Sequence, residues 1–164
     1  MIERIRRKIL KELYVYYDTI RIIDSLPIPI CHYKRSSRCR IIASEGHYLK
    51  DEYYGVCGSK GEKVFGFKLH MLVTLEGIPT DFTFAPASYH DVNLVWDLVD
   101  DKYNLLLMGD KGYISKGLKN ELKDLRNITL ITPTKKNQRE KNSKGTNFIL
   151  SRISKDSGDS QSLN

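Results

Sequence analysis

Leu105-Leu106-Leu107-Met108-Gly109-Asp110-Lys111-Gly112-Tyr113 is the stretch that decides how the chain is read. The apolar run at its start has neither the alternation of a half-buried strand nor the length of a helix, so it reads as a strand covered on both faces. Strands of that kind belong to sheets flanked by helices. Asp110 stands where this one runs out into a glycine-containing turn.

Upstream, Ser88 or Asp91 can cap a helix whose Val92, Val95, Trp96 and Val99 fall at i, i+3, i+4 and i+7, with Asp97, Asp100 and Asp101 as a solvated face. Before it, the extended segments Val64–Leu75 and Thr80–Ala85 are joined by Glu76-Gly77-Ile78-Pro79, which predicts a β-hairpin. Ile20, Ile22 and Ile23 favour a short strand with Asp24 near its end, stopped by Pro27 and Pro29. Downstream, Ser115 can cap a helix with Leu118, Leu122 and Leu125 on one face, and Thr129–Thr132 makes a last strand closed by Pro133. The order strand, hairpin, helix, strand, helix, strand predicts an α/β fold with a mixed sheet.

The flanks read differently. Ile2, Ile5, Ile9, Leu10 and Leu13 recur at helical spacing among Arg4, Arg6, Arg7, Lys8 and Lys11, so residues 2–16 are expected to form a basic amphipathic helix. Residues 31–62 are polar and glycine-containing, and read as a loop-rich insertion with no period that assigns secondary structure. After Thr134 the stretch holding Lys135, Lys136, Arg139, Lys141 and Lys144 has no apolar period, and the serine-rich end predicts a disordered tail. The expected organisation is a helical stub over 1–19, an α/β domain over 20–133 and a basic, then serine-rich tail over 134–164.

The 164 residues suit one domain, and 40% hydrophobic with 29% charged residues excludes a disordered polar chain. No apolar run is long enough to span a bilayer and no export signal is legible, so a cytoplasmic protein without a membrane partner is expected. Cys31, Cys39 and Cys57 read as reduced thiols; a zinc set of Cys31, His32, Cys39 and His47 lacks the short paired spacings of structural zinc sites. The net charge of +7 conceals a pattern. Residues 1–50 hold 11 basic and 5 acidic side chains, residues 51–110 hold 4 and 10, and residues 111–164 hold 12 and 5. Basic flanks fit a polyanion, since each Lys or Arg that neutralises a phosphate releases counterions, although an ordinary basic protein with uneven loops fits the charge equally well.

Asp24 and Asp110 are the informative pair. Ligand sites in open α/β sheets gather at the carboxyl ends of strands, and two carboxylates delivered there form an oxygen-rich pocket suited to Mg²⁺ or Mn²⁺. Such a pocket supports in-line displacement at phosphorus, and a basic protein makes nucleic acid the phosphodiester. Singly, each residue also reads as a turn former, Asp24 bonding the backbone of Ser25 or Leu26 and Asp110 preceding Gly112.

The ordered blocks Ile22-Ile23-Asp24-Ser25-Leu26-Pro27, Gly66-Phe67-Lys68-Leu69-His70, Pro86-Ala87-Ser88-Tyr89-His90-Asp91 and Gly109-Asp110-Lys111-Gly112-Tyr113 resemble the catalytic domain of DDE-type transposases from bacterial insertion sequences. The resemblance covers roughly residues 20–150. It implies a ribonuclease H-like mixed sheet with flanking helices, in which Asp24 and Asp110 match the first and second metal-binding, catalytic aspartates. It implies Mg²⁺ or Mn²⁺ as cofactor, and double-stranded DNA, as transposon ends and target, as partner. The implied reaction is strand cleavage followed by attack of the freed 3′-hydroxyl. His90-Asp91 matches a recurrent pair of the family, but a helix N-terminus accounts for Asp91 equally well, and the pair is assigned no catalytic role.

The family's third acidic residue, a glutamate on a helix after the last strand, is not found: Glu140 lies in a lysine-rich stretch, and Asp156 and Asp159 lie in the serine-rich tail. Only 23 residues precede Asp24, where the family carries a helical DNA-binding region. The expectation is therefore a fold incomplete at its C-terminus, in a truncated or frameshifted transposase of little activity. Alternatives are a ribonuclease H-like nuclease that joins nothing, and a non-catalytic DNA-binding or dimerising remnant. Lys111, Lys135, Lys136 and Arg139 are the expected phosphate contacts, with a solvated basic surface as the competing reading. A homodimer or a pairing with intact transposase are the candidate assemblies, nucleoid-associated when bound to DNA.

Overall fold

The computed structural model describes residues 2–41, 49–57 and 61–133. The elements in chain order are α1 (Ile2–Glu12), β1 (Ile20–Pro29), β2 (Tyr54–Cys57), β3 (Glu62–Val73), β4 (Pro79–Pro86), α2 (Val95–Val99), β5 (Leu106–Gly109), α3 (Lys116–Arg126) and β6 (Thr129–Ile131), with short 3-10 turns between them. The sheet runs β2-β3-β1-β5-β6, with β4 also paired to β3. β1, β5 and β6 are parallel, while β3 is antiparallel to β1, β2 and β4. This mixed α/β architecture agrees with the ribonuclease H-like expectation.

In the apolar run Leu105, Leu107 and Met108 are buried and Leu106 is half-buried; Leu105 and Leu107 share one core with Ile23 of β1, Leu72 of β3, Val95 and Val99 of α2, and Leu122 of α3. The helix after Pro86 divides into a 3-10 turn at Asp91–Leu94 and the short α2. α3 starts as predicted: Ser115 Oγ accepts a hydrogen bond from the Leu118 amide at 3.3 Å. It ends at Asn127, a left-handed cap whose amide donates back to the Lys123 carbonyl. The hairpin is also as predicted, with Gly77 at φ +82° in its turn.

β1 corrects the sequence reading. It does not stop at Pro27 but continues to Pro29, paired throughout with β3. The Ile30 amide donates to the Phe65 carbonyl, so even-numbered residues turn their polar backbone towards β3. Pro27 and Pro29 therefore face the other way, and on that side β5 has already ended. A proline there removes no ladder hydrogen bond.

The insertion likewise holds more than loop. Tyr54–Cys57 pairs antiparallel with the start of β3, and Tyr53 and Phe65 form a second apolar cluster with Tyr33 and the partly buried Cys31 and Cys39 packed against it. His47 of the zinc set, the tail and the basic stretch with Lys135, Lys136 and Arg139 lie outside the described residues. α1 is shorter than expected, ending before the left-handed Tyr14, and no helix among the described residues is long and apolar enough to cross a membrane.

Close backbone approach makes Gly66 irreplaceable: a Cβ there would lie 2.2 Å from the Ile28 carbonyl oxygen and 2.9 Å from the Ile30 amide nitrogen. Both are backbone atoms that cannot rotate away. Gly66→Ala is expected to destabilise the protein by roughly 3 kcal/mol, the upper end for overpacking. A urea midpoint unchanged from that of the native protein would refute this.

Candidate metal and nucleic-acid site

The parallel ladder between β1 and β5 ends at the pair Ile23 and Gly109. Asp24 and Asp110 are the next residues on the two strands, so the backbone delivers both carboxylates to one end of the sheet. Each behaves locally as a turn residue should. Asp24 Oδ1 accepts from the Ser25 amide at 2.8 Å, and Asp110 Oδ1 from the Gly112 amide at 2.9 Å. Neither bond uses the second oxygen, which has no hydrogen-bond partner among the described residues. The turn reading and the site reading are thus both satisfied.

The electrostatics are those of a crowded acidic pocket. Burial pushes the Asp24 carboxyl up to about 6; the Ser25 amide pulls it back in part, and the negative charges of Asp110 and Asp91 push it further. Asp110 is raised for the same leading reason, burial, with Asp91 adding to it while the Gly112 amide, Lys111 and Lys68 oppose. A carboxylate that loses solvation beside other carboxylates gains most from a divalent cation.

Asp91 stands at the start of the Asp91–Leu94 turn, as the helix N-terminus reading expects, but its carboxylate pairs elsewhere. Oδ1 sits 3.0 Å from Lys68 Nζ, which also donates to the Tyr89 carbonyl at 2.9 Å. Oδ2 points to the other side: a Cβ on Gly112 would meet it at 2.6 Å and Asp110 Oδ1 at 3.1 Å. Beneath lies His70, fully buried, with Nδ1 hydrogen-bonded to the Tyr113 hydroxyl at 3.1 Å. Its Nε2 lies 3.8 Å from Asp91 Oδ1 and has no hydrogen-bond partner among the described residues. Burial lowers the His70 imidazole from its ordinary value and raises the Tyr113 hydroxyl, the latter also through Asp91, Asp24 and Asp110. The signal for this network was present in two of the quoted blocks, Lys68-Leu69-His70 and His90-Asp91, but nothing in their spacing says that they meet.

No group of three or more His, Cys, Asp or Glu side chains among the described residues is drawn close enough to hold a metal ion as it stands. What this end of the sheet offers a hard divalent cation is the pair of carboxylates of Asp24 and Asp110, oxygen donors on adjacent strands. Lys111, exposed and directly after Asp110, stands at the rim. Lys135, Lys136 and Arg139 lie outside the described residues.

A family model described as a transposase DDE domain matches residues 15–154. No curated protein and no solved structure was found to match the chain.

Proposed function

The chain belongs to the transposase DDE domain family, and from that premise we propose that it acts on double-stranded DNA, cleaving a strand at a transposon end and joining the freed 3′-hydroxyl to target DNA. The observation that carries the reading is the placement of Asp24 and Asp110 side by side, one residue past the last pair of the parallel ladder.

Asp24 and Asp110 would hold Mg²⁺ or Mn²⁺ through the oxygens their turns leave free. Bound there, divalent ions activate an attacking oxygen and stabilise a leaving one at phosphorus. The protein's own contribution is positional. The amides of Ser25 and Gly112 orient the two carboxylates, and the buried Tyr113 and His70 exclude water beneath them. Lys111, directly after Asp110, would supply positive charge to phosphates approaching this end of the sheet, and Lys135, Lys136 and Arg139, outside the described residues, are proposed as further phosphate contacts.

Cleavage by this chain is proposed to be weak. That proposal rests on the sequence alone, where Glu140, the one glutamate after Glu121, lies in a lysine-rich stretch with no apolar face. A supercoiled plasmid incubated with Mn²⁺ is expected to be nicked slowly, not at all in chelator, and not by Asp24→Ala or Asp110→Ala. Nicking that survives either substitution would refute the site. Fast nicking that both substitutions abolish would refute the weak activity and leave the site standing, and cleavage without strand joining would indicate a nuclease. Salt-sensitive DNA binding with no cleavage and no divalent-ion binding would indicate a non-catalytic DNA-binding protein.

A further inference from the structure

Cys31 and Cys39 bracket a short 3-10 helix, Tyr33–Arg38, between the end of β1 and the rest of the insertion. Both are free thiols and both are partly exposed, so a small solute reaches them. We infer that Cys31 and Cys39 are an oxidisable dithiol that closes to an intramolecular disulfide when the protein meets a peroxide. The inference is independent of the DNA reading and of the acidic end of the sheet.

Three observations carry it. The chain between the cysteines turns back on itself: the Arg35 amide donates to the His32 carbonyl at 2.8 Å, the Cys39 amide to the Ser36 carbonyl at 3.1 Å and the Ser36 hydroxyl to the Tyr33 carbonyl at 2.6 Å. Both cysteines pack against one apolar cluster, that of Tyr53 and Phe65. The two side chains are hydrogen-bonded to one another, which brings the sulfurs together. Each end of the segment is also anchored. Ile30, the neighbour of Cys31, donates its amide to the Phe65 carbonyl at 2.9 Å, and the Cys39 carbonyl accepts from Lys50 Nζ at 3.4 Å. Bridging cysteines need their backbones near one another, and this fold supplies that before any bond forms.

The chemistry balances with hydrogen peroxide as the oxidant. One thiolate attacks a peroxide oxygen; the S–O bond forms as the O–O bond breaks, hydroxide leaves with the thiol's proton as water, and a sulfenic acid results. The second thiol attacks the sulfenic sulfur, the S–S bond forms, and the S–O oxygen leaves as a second water. The two thiols give up two electrons, and one peroxide is reduced to two waters. Burial raises the Cys31 thiol from its ordinary value and the neighbouring Cys39 adds to the rise, while Arg35 and Lys50 oppose it, so Cys31 rests protonated until the oxidant arrives. The closed bond ties the start of the insertion to the end of β1. It also removes the freedom of residues 31–39 from the unfolded chain, so oxidation stabilises the protein.

The test treats the full chain, reduced and then freed of reductant, with hydrogen peroxide and follows its intact mass. A loss of about 2 Da that dithiothreitol restores is expected. Trypsin, cutting after Lys34, Arg35 and Arg38, separates the two cysteines and is expected to leave their peptides linked. The melting temperature is expected to rise on oxidation by about 5 °C in the native chain and in Cys57→Ser, and to stay unchanged in Cys31→Ser and Cys39→Ser. Gain of oxygen without the mass loss, or a bond that involves Cys57 or a second chain, would overturn the pairing. A mapped Cys31–Cys39 bond with an unchanged melting temperature would overturn its stabilising role. The mapping uses the unmutated chain, so it decides the pairing even where a serine variant fails to fold.

Discussion

Asp24→Asn is expected to make the metal-free protein more stable above pH 6 while abolishing its response to divalent ions. Folding raises the Asp24 carboxyl from an ordinary 3.8 to about 6, chiefly through burial. A group shifted in this direction favours the folded state when protonated. Its contribution is fully present below about pH 4 and is lost as pH rises through about 6. At pH 7.5 the native protein therefore carries an ionised, partly buried carboxylate with no counter-ion, and the asparagine does not. After discounting for solvent screening, the gain is on the order of 1–2 kcal/mol. Thermal melts in chelator should coincide for the two proteins near pH 4 and separate above pH 6, with Asp24→Asn melting higher. Adding Mn²⁺ should then raise the melting temperature of the native protein alone, by mass action on the folded state. Equal melts at every pH would refute the burial of this carboxylate, and an Mn²⁺ shift retained in the variant would remove it from the metal site.

The second large effect concerns a buried pair far from the pocket. Lys102, at the end of the α2 segment, is 7% exposed, and its Nζ lies 3.0 Å from Oδ1 of Asp81 on β4, 2.6 Å from Asp101 Oδ1 and 5.3 Å above the Tyr16 ring. Asp81 is equally buried, and its Oδ2 has no hydrogen-bond partner among the described residues. Lys102→Met removes the counter-ion and leaves a desolvated carboxylate behind, which destabilises by about 3–5 kcal/mol. For a chain of this size the melting temperature should fall by on the order of 10 °C. Replacing both partners, Asp81→Leu with Lys102→Met, should recover most of the loss, because an apolar pair of similar volume needs no compensating charge. A single variant that melts within a degree or two of the native protein would show that the pair contributes nothing net.

Both effects stem from charges whose burial no local pattern discloses. Arg21 is the plainest case: it interrupts the Ile20–Ile23 run, yet it is 1% exposed and donates to the carbonyls of Val15, Tyr16 and Ile20, with Asp18 at 3.8 Å. In the sequence it is indistinguishable from an arginine on a solvated strand face. Burial lowers its guanidinium from the ordinary value, and neighbouring acids such as Asp18 restrain the shift. Whether a charge is buried depends on what another element places over it, and that element is distant in sequence.

The strand run 105–108 with Asp110 at its end, the hairpin and the Ser115 cap were legible because each rests on short-range chemistry: apolar run length, turn residues, a hydroxyl at a helix start; Asp24, expected near a strand end, instead lies within β1, one residue past the end of its pairing with β5. Asp91 stands in the first turn of its helix as expected, while its ion pair with Lys68 was not legible, because the two residues are 23 apart in the chain. Pro27 and Pro29 misled because the damage a proline does to a strand depends on whether a neighbour lies on its amide side, which is a property of the sheet. By itself the sequence determined the β3–β4 hairpin, the strand before Asp110, the Ser115-capped helix and the last strand, and singled out Asp24 and Asp110. Only the tertiary structure decided that Asp91 meets Asp110 across Gly112, that Lys68 and His70 stand behind it, and that Arg21 and Lys102 are buried. Those facts depend on contacts between segments tens of residues apart, made when the sheet closes and water is excluded from between them.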